Sequence, residues 1–211
     1  MKLWFKSASL AVCLLVLAAP LPAQNDGVDV RLNPRVGLYQ SLTSLAEVEQ
    51  AGETVAAELG GALSLGLALQ LDLGMMPIGI RANLDYVTGA EVYWEDGGIR
   101  TAEGEATVLA AAGDVMVRVL PRSFVVSPYL FAGGGLKQYD FTLSPDSSIE
   151  EFRNESDPTF HFGGGVDLGL GPLSVNAEIG DYVSWFEPDP LLEAREQHDL
   201  FVSIGLSIGL I

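Results

Sequence analysis

From Glu58 to Leu73 the chain changes character at every residue. Leu59, Gly61, Leu63, Leu65, Leu67, Leu69, Leu71 and Leu73 fall on one side, while Glu58, Gly60, Ala62, Ser64, Gly66, Ala68, Gln70 and Asp72 fall on the other. A period of two belongs to a β-strand; wound as a helix, successive leucines would sit about 200° apart and no apolar stripe would form. The second face carries glycine, alanine and serine where the wet face of a soluble sheet carries lysine, glutamate and threonine. An oily outer face over a small inner one is the pattern of a barrel wall in a lipid bilayer.

The N-terminus agrees with export. Lys2 and Lys6 precede an apolar run, Ser7 to Ala19, and small residues lead to Ala23, so residues 1–23 are expected to be a cleaved signal peptide. The apolar run is short for a membrane helix. Cleavage would remove Cys13, the one cysteine of the chain, and with it any disulfide or reactive thiol. Val12 is too large for the residue that precedes a lipidated cysteine. Loss of Lys2 and Lys6 takes the net charge from −17 to −19, which excludes a nucleic-acid partner. Twenty-four glycines among 48% apolar residues are too hydrophobic for a disordered chain.

Seven further segments alternate in the same way: Arg35 to Leu42, Pro77 to Thr88, Thr107 to Val119, Tyr129 to Phe141, Thr159 to Leu170, Leu173 to Trp185 and His198 to Ile211. The expectation is an all-β fold, an eight-stranded antiparallel up-and-down transmembrane barrel over 35–211, preceded by a short periplasmic segment, 24–34. The connections alternate in length. Thr43 to Ala57, Gly89 to Glu105, Thr142 to Pro158 and Phe186 to Asp199 are long and acidic, whereas Asp72 to Met76, Leu120 to Phe124 and Gly171-Pro172 are tight. Long loops outside and short turns inside leave both termini in the periplasm. Pro128 to Gly135 and Pro158 to Gly165 share the pattern P-x-x-x-x-G-G-G, read as wall strands with glycine where the barrel crowds.

Followed consistently, the alternation turns Arg81, Asp85, Asp114, Arg118, Lys137, Asp167 and Glu178 into the lumen. Opposite charges in so narrow a space should pair into a plug, because an unpartnered ion there bears a large desolvation cost; the competing expectation is a narrow channel lined by the same charges. Either phase of Tyr129 to Phe141 sends a polar or bulky residue toward lipid. Tyr86, Trp94, Tyr139, Phe160, Phe162, Tyr182 and Trp185 gather near the long loops and are expected to form an interfacial aromatic girdle. His161 and His198 could in principle activate Ser184 or Ser203 for lipid hydrolysis, but no motif ties them together, and no enzymatic activity is expected. The loop acids follow no calcium-loop spacing, so neither a metal nor a cofactor is expected.

Pro128-Tyr-Leu-Phe-Ala-Gly-Gly-Gly-Leu136, Phe162-Gly-Gly-Gly-Val-Asp-Leu168, Asn176 to Tyr182 and the closing strand Leu200 to Ile211 together resemble the small bacterial outer-membrane β-barrel family, the eight-stranded type similar to the outer-membrane protein A barrel. The resemblance spans the mature chain and implies architecture rather than a reaction. It implies an integral outer-membrane protein of a Gram-negative-type envelope, with membrane lipids and lipopolysaccharide as neighbours. It also implies the barrel-assembly machinery as a partner of the last strand. Gly205, Ile208 and Leu210 match the spacing of the family's assembly signal, whereas Ile204 stands at a usually polar position and Ile211 at a usually aromatic one. The role expected from this is structural or surface-interactive, in envelope integrity or adhesion.

Overall fold

The computed structural model describes residues 27–50, 53–73, 76–96, 99–120, 124–145, 156–170, 173–186 and 195–210. The expected signal peptide and the tips of several loops lie outside them. The strands are β1 (Asp29–Ser41), β2 (Ala46–Gln50), β3 (Glu53–Leu59), β4 (Ala62–Asp72), β5 (Ile78–Asp96), β6 (Ile99–Arg118), β7 (Val126–Leu143), β8 (Ser156–Leu170), β9 (Leu173–Phe186) and β10 (Arg195–Gly209). All pairings are antiparallel. β1 pairs with β10 on one side and β4 on the other, and the chain of neighbours β4–β5–β6–β7–β8–β9–β10 returns to β1. The wall is therefore a closed ring of eight strands, with β2 and β3 standing above it as a hairpin whose β3 arm pairs with the upper part of β5. Closure leaves the membrane-level sheet without a free edge, which is what backbone groups in hydrocarbon require.

Leu63, Leu65, Val36, Leu38, Ile80, Val115, Leu130, Leu136, Ile179 and Ile204 are all exposed, whereas Asn33, Gln70, Asn83 and Asn176 are buried. The apolar face looks outward and the polar face inward, the reverse of a soluble barrel. In β7 the odd residues point in: Ser127, Tyr129, Phe131, Lys137 and Tyr139 are buried.

Three expectations change. β1 opens at Asp29 rather than Arg35, so most of the supposed periplasmic segment 24–34 is wall, held by pairs such as Leu32 with Ile208 and Asn33 with Ala68. The alternation of Glu58 to Leu73 is not one strand. Gly60 and Gly61 break it and shift its phase, so that Leu59 is 1% exposed inside the barrel while Leu63 is 70% exposed outside. Finally, Gly89 to Glu105 is largely strand: β5 and β6 run up to the pair Asp96–Ile99. A bulge between Val87 and Ala90 contains Gly89, whose φ of 70° favours glycine, and it keeps both flanking side chains turned inward. At about 3.3 Å per residue and a tilt near 45°, a strand of about ten residues crosses the bilayer, so the 19 and 20 residues of β5 and β6 project well beyond it.

Candidate functional site

The interior is filled in levels. Near the short turns, Arg118 from β6 donates to Asp167 at 2.8 Å, to Ser127 at 3.2 Å and to Asp72 at 3.3 Å. Asp72 also accepts from Gln70, which in turn accepts from Asn33. One guanidinium thus ties together β4, β6, β7 and β8.

At the next level two arginines share one carboxylate. Arg35 from β1 donates to Glu178 at 2.5 Å and grips both oxygens of Asp85 at 2.9 and 3.0 Å; Arg81 from β5 reaches the other oxygen of Glu178 and bonds Asp114 at 3.2 Å. Asp114 further accepts from Asn83 and meets His161 Nδ1 at 3.0 Å. Tyr129 donates to Glu178 and Tyr182 to Asp85. Rings pack the remaining space: His161 stacks on Tyr182 with centroids 3.9 Å apart, and the Arg81 guanidinium lies 3.9 Å from the Phe131 centroid. Room for these groups comes from glycine. A Cβ on Gly66 would stand 2.4 Å from Asp85 Oδ1, and one on Gly165 would stand 2.5 Å from the Tyr129 hydroxyl. The paired G-G-G motifs of β7 and β8 thus vacate the inner wall for large side chains.

Above this, Asp199 from β10 accepts from Lys137 at 2.6 Å, from Tyr39 at 2.7 Å and from Tyr139. The level over Asp199 is apolar toward β3, β5 and β6, while toward β10 the fully buried Gln197 accepts from Thr43 and donates to the Ser44 carbonyl. Leu45, Leu59, Val87, Val92 and Val108 are each fully buried there, with Tyr39, Tyr139 and Phe201 beneath them. The interior is therefore ionic toward the periplasmic end and, toward the outer end, mostly apolar with Gln197 as a hydrogen-bonded polar member. The ions of this network, Arg35, Arg81, Arg118, Lys137, Asp72, Asp85, Asp114, Asp167, Glu178 and Asp199, each make charge-assisted hydrogen bonds, the condition under which a low-dielectric network holds rather than weakens a fold.

The structure places Arg81, Asp85, Asp114, Arg118, Lys137, Asp167 and Glu178 on the inner face, with the partners just described. Sequence reading missed Arg35, Asp72 and Asp199, which belong to the same buried network. Parity could have found them, since Arg35 shares its phase with Tyr39 and Ser41, Asp72 with Gln70, and Asp199 with Ser203. The girdle needs correcting. Tyr139 and Tyr182 are fully buried in the lumen, and Trp94 packs against the apolar interior cluster. Tyr86, Phe160, Phe162 and Trp185 face outward, 41–60% exposed, with Phe160 and Trp185 in edge contact at 6.1 Å.

His161 lies inside and His198 outside, with His198 Nδ1 2.7 Å from Asp181 and Nε2 3.4 Å from Glu196. Ser184 and Ser203 are on the inner face, opposite to His198. Among the described residues no group of three or more His, Cys, Asp or Glu side chains is placed to hold a metal ion. Above the membrane, Tyr93 donates to Glu58 at 2.9 Å; burial first, and then this carboxylate, push its phenol up to about 12. The Arg100 guanidinium lies over the same ring and bonds Glu95 at 3.0 Å.

No protein-family model matches the sequence, and neither does any curated protein. Solved structures do match in fold. OprG of Pseudomonas aeruginosa aligns at a TM-score of 0.62 with 12% identity over 88% of this chain and 97% of its own. Neisserial surface protein A aligns at 0.51 with 10% identity over 86% and 96%, and a major outer-membrane protein of Thermus thermophilus at 0.51 with 11% identity over 86% and 99%. At such identities the likeness speaks for the fold, that of small eight-stranded outer-membrane barrels.

Proposed function

We propose that this integral outer-membrane barrel is a sealed structural protein that stiffens the envelope and presents an acidic, rigid β-extension to the outside, without enzymatic activity. The observation that carries this reading is the chain Asp85–Arg35–Glu178–Arg81–Asp114, which crosses the lumen from β5 to β1, β9, β5 and β6 with every link a direct ion pair. An ion passing through would have to break these links and then force its way past the packed level around Leu59 and Val108, whose side chains offer no replacement for its water. On this reading residues 1–23 are the export signal, the lipid-facing face of β10 carries the contact with the assembly machinery, and lipopolysaccharide surrounds the outer rim. The test is conductance of the purified barrel in planar lipid bilayers. A closed lumen gives no unitary steps in the wild type. Replacement of Arg35 and Arg81 by alanine leaves it silent, because the apolar level persists. Steps in the wild type that change size with Arg81→Glu would identify a channel instead.

A further inference from the structure

Pro128 and Pro158 stand near the ends of β7 and β8, where a strand tolerates proline, but Pro34 stands inside β1 with pairs to β10 both below and above it. Two bonds set the alternation of this seam, from the Leu210 N–H to the Val30 carbonyl and from the Leu42 N–H to the His198 carbonyl; by it Leu32, Pro34 and Val36 turn their backbone groups toward β10. The Pro34 carbonyl agrees, since a Cβ on Gly205 would stand 2.5 Å from it. The register puts Pro34 opposite Leu206, and between the pairs Leu32–Ile208 and Arg35–Gly205 the ladder skips Asn33 and Pro34. Proline has no N–H, so β1 offers the Leu206 carbonyl no donor. The joint between the first and last strands therefore lacks one bond inside the wall, where lipid supplies no replacement.

The inner face is short of bonds at the same height. Asn33 Oδ1 on β1, Ser207 Oγ on β10 and Asn176 Oδ1 on β9 are buried without a hydrogen-bond partner among the described residues, and Gly205 brings no side chain. Asn33 donates to Gln70 on β4, away from the seam, while Arg31 reaches past β10 to Ser174 on β9 at 3.3 Å. Higher up the seam is firm: Arg35 is gripped by Asp85 and Glu178, and Tyr39 donates to Asp199 across it. On the other side of β1 the ladder to β4 runs unbroken from Asp29–Asp72 to Tyr39–Ala62. We infer that β1 and β10 part here, as a slit between Leu32–Pro34 and Leu206–Ile208 hinged at the Arg35 ion pairs, while each strand stays on its other neighbour. The slit lies below the Arg35–Glu178 pair, so it opens the lower lumen without unsealing the barrel.

Native-state hydrogen exchange of the isotope-labelled barrel in lipid nanodiscs, read amide by amide by NMR, tests the slit. The Leu32 and Ile208 amides cross to the partner strand of the seam, whereas those of Asn33 and Ala68 join β1 to β4 at the same height. The first pair should be protected about tenfold less than the second, as one missing backbone hydrogen bond supplies. Pro34→Val returns an N–H to the seam and should raise Leu32 and Ile208 to the protection of Asn33 and Ala68, while Leu130→Ala on the far wall should leave the difference standing. A heat-dependent gel shift checks that each variant is a closed barrel, and Pro34→Ala supplies the same donor should Pro34→Val fail that check. Equal protection on the two sides of β1 in the wild type, or a difference that the restored donor leaves unchanged, overturns the proposal.

Discussion

Replacing Arg35 with methionine isolates the weight of the buried network. Its side chain is 3% exposed, and those of Asp85 and Glu178 are 7% and 5% exposed. The substitution keeps most of the volume but removes two hydrogen bonds to Asp85 and one to Glu178. Glu178 retains Arg81 and Tyr129, so most of the damage falls on Asp85, left with the Tyr182 hydroxyl. Stranding one member of a buried ion pair costs about 3–5 kcal/mol. The partial cover from Tyr182 puts Arg35→Met near the lower end of that range. Removing both members with Arg35→Met and Asp85→Leu should recover most of the loss, because an apolar pair carries no desolvation debt. Urea unfolding of the refolded barrel in lipid vesicles, followed by tryptophan fluorescence and by the heat-dependent gel shift, measures both changes. A loss below about 1 kcal/mol for the single variant, the range of solvent-screened pairs, would show that water fills the lumen and that the network is not sealed.

Other outcomes follow from the same geometry. Gly135→Val places a Cβ 1.8 Å from the Ala111 carbonyl oxygen on the neighbouring strand, so the refolded fraction in the gel-shift assay should fall sharply, whereas Gly113→Ala, where a Cβ meets nothing within 4 Å, should refold normally. Leu65→Arg on the lipid face should cost about 2–4 kcal/mol in vesicle unfolding, as charge at bilayer depth does. Tyr93→Phe should cost about 1 kcal/mol through its lost hydrogen bond to Glu58. Because the Tyr93 phenol is raised from 10.0 to about 12, the folded protein holds this proton more tightly than the unfolded chain. The stability it contributes is full below pH 10 and is lost as the pH rises through 12; an absorbance titration of the folded barrel should therefore show a tyrosine step near pH 12 that Tyr93→Phe removes.

The alternation of residues made the wall and its orientation legible, since the period of two survives wherever the wall is regular, as in Leu63 to Leu73 and Leu109 to Val119. It misleads where glycine shifts the phase. Leu59 has the same parity as Leu63 in sequence and the opposite face in space, because Gly60-Gly61 lies between them. The long loops read as irregular because their acidic residues obscure the strand pattern, yet the backbone of Val92 to Asp96 still pairs with Ile99 to Gly104. Distance along the strand alone would put Tyr139 and Tyr182 at the interface. Parity places each with an inward charge, Lys137 and Glu178, and there the phenol ends on a carboxylate that needs a donor. The level of Leu45, Leu59, Val87 and Val108 lay beyond the reach of pattern, because it forms from the β2–β3 hairpin closing over strands distant in sequence.

Single spin labels offer the most direct test of which face meets lipid, and loss of Cys13 with the signal would leave a chain free of competing thiols. Labels at Leu65 and Ala68, three residues apart on β4 and on opposite faces, are compared for collisions with oxygen, which concentrates in hydrocarbon, and with a water-soluble nickel chelate. The expected result is strong oxygen relaxation with little nickel relaxation at Leu65, and an immobilised label reached by neither at Ala68. Leu65 shielded from oxygen with Ala68 open to nickel would contradict both the outward leucines and the closed interior.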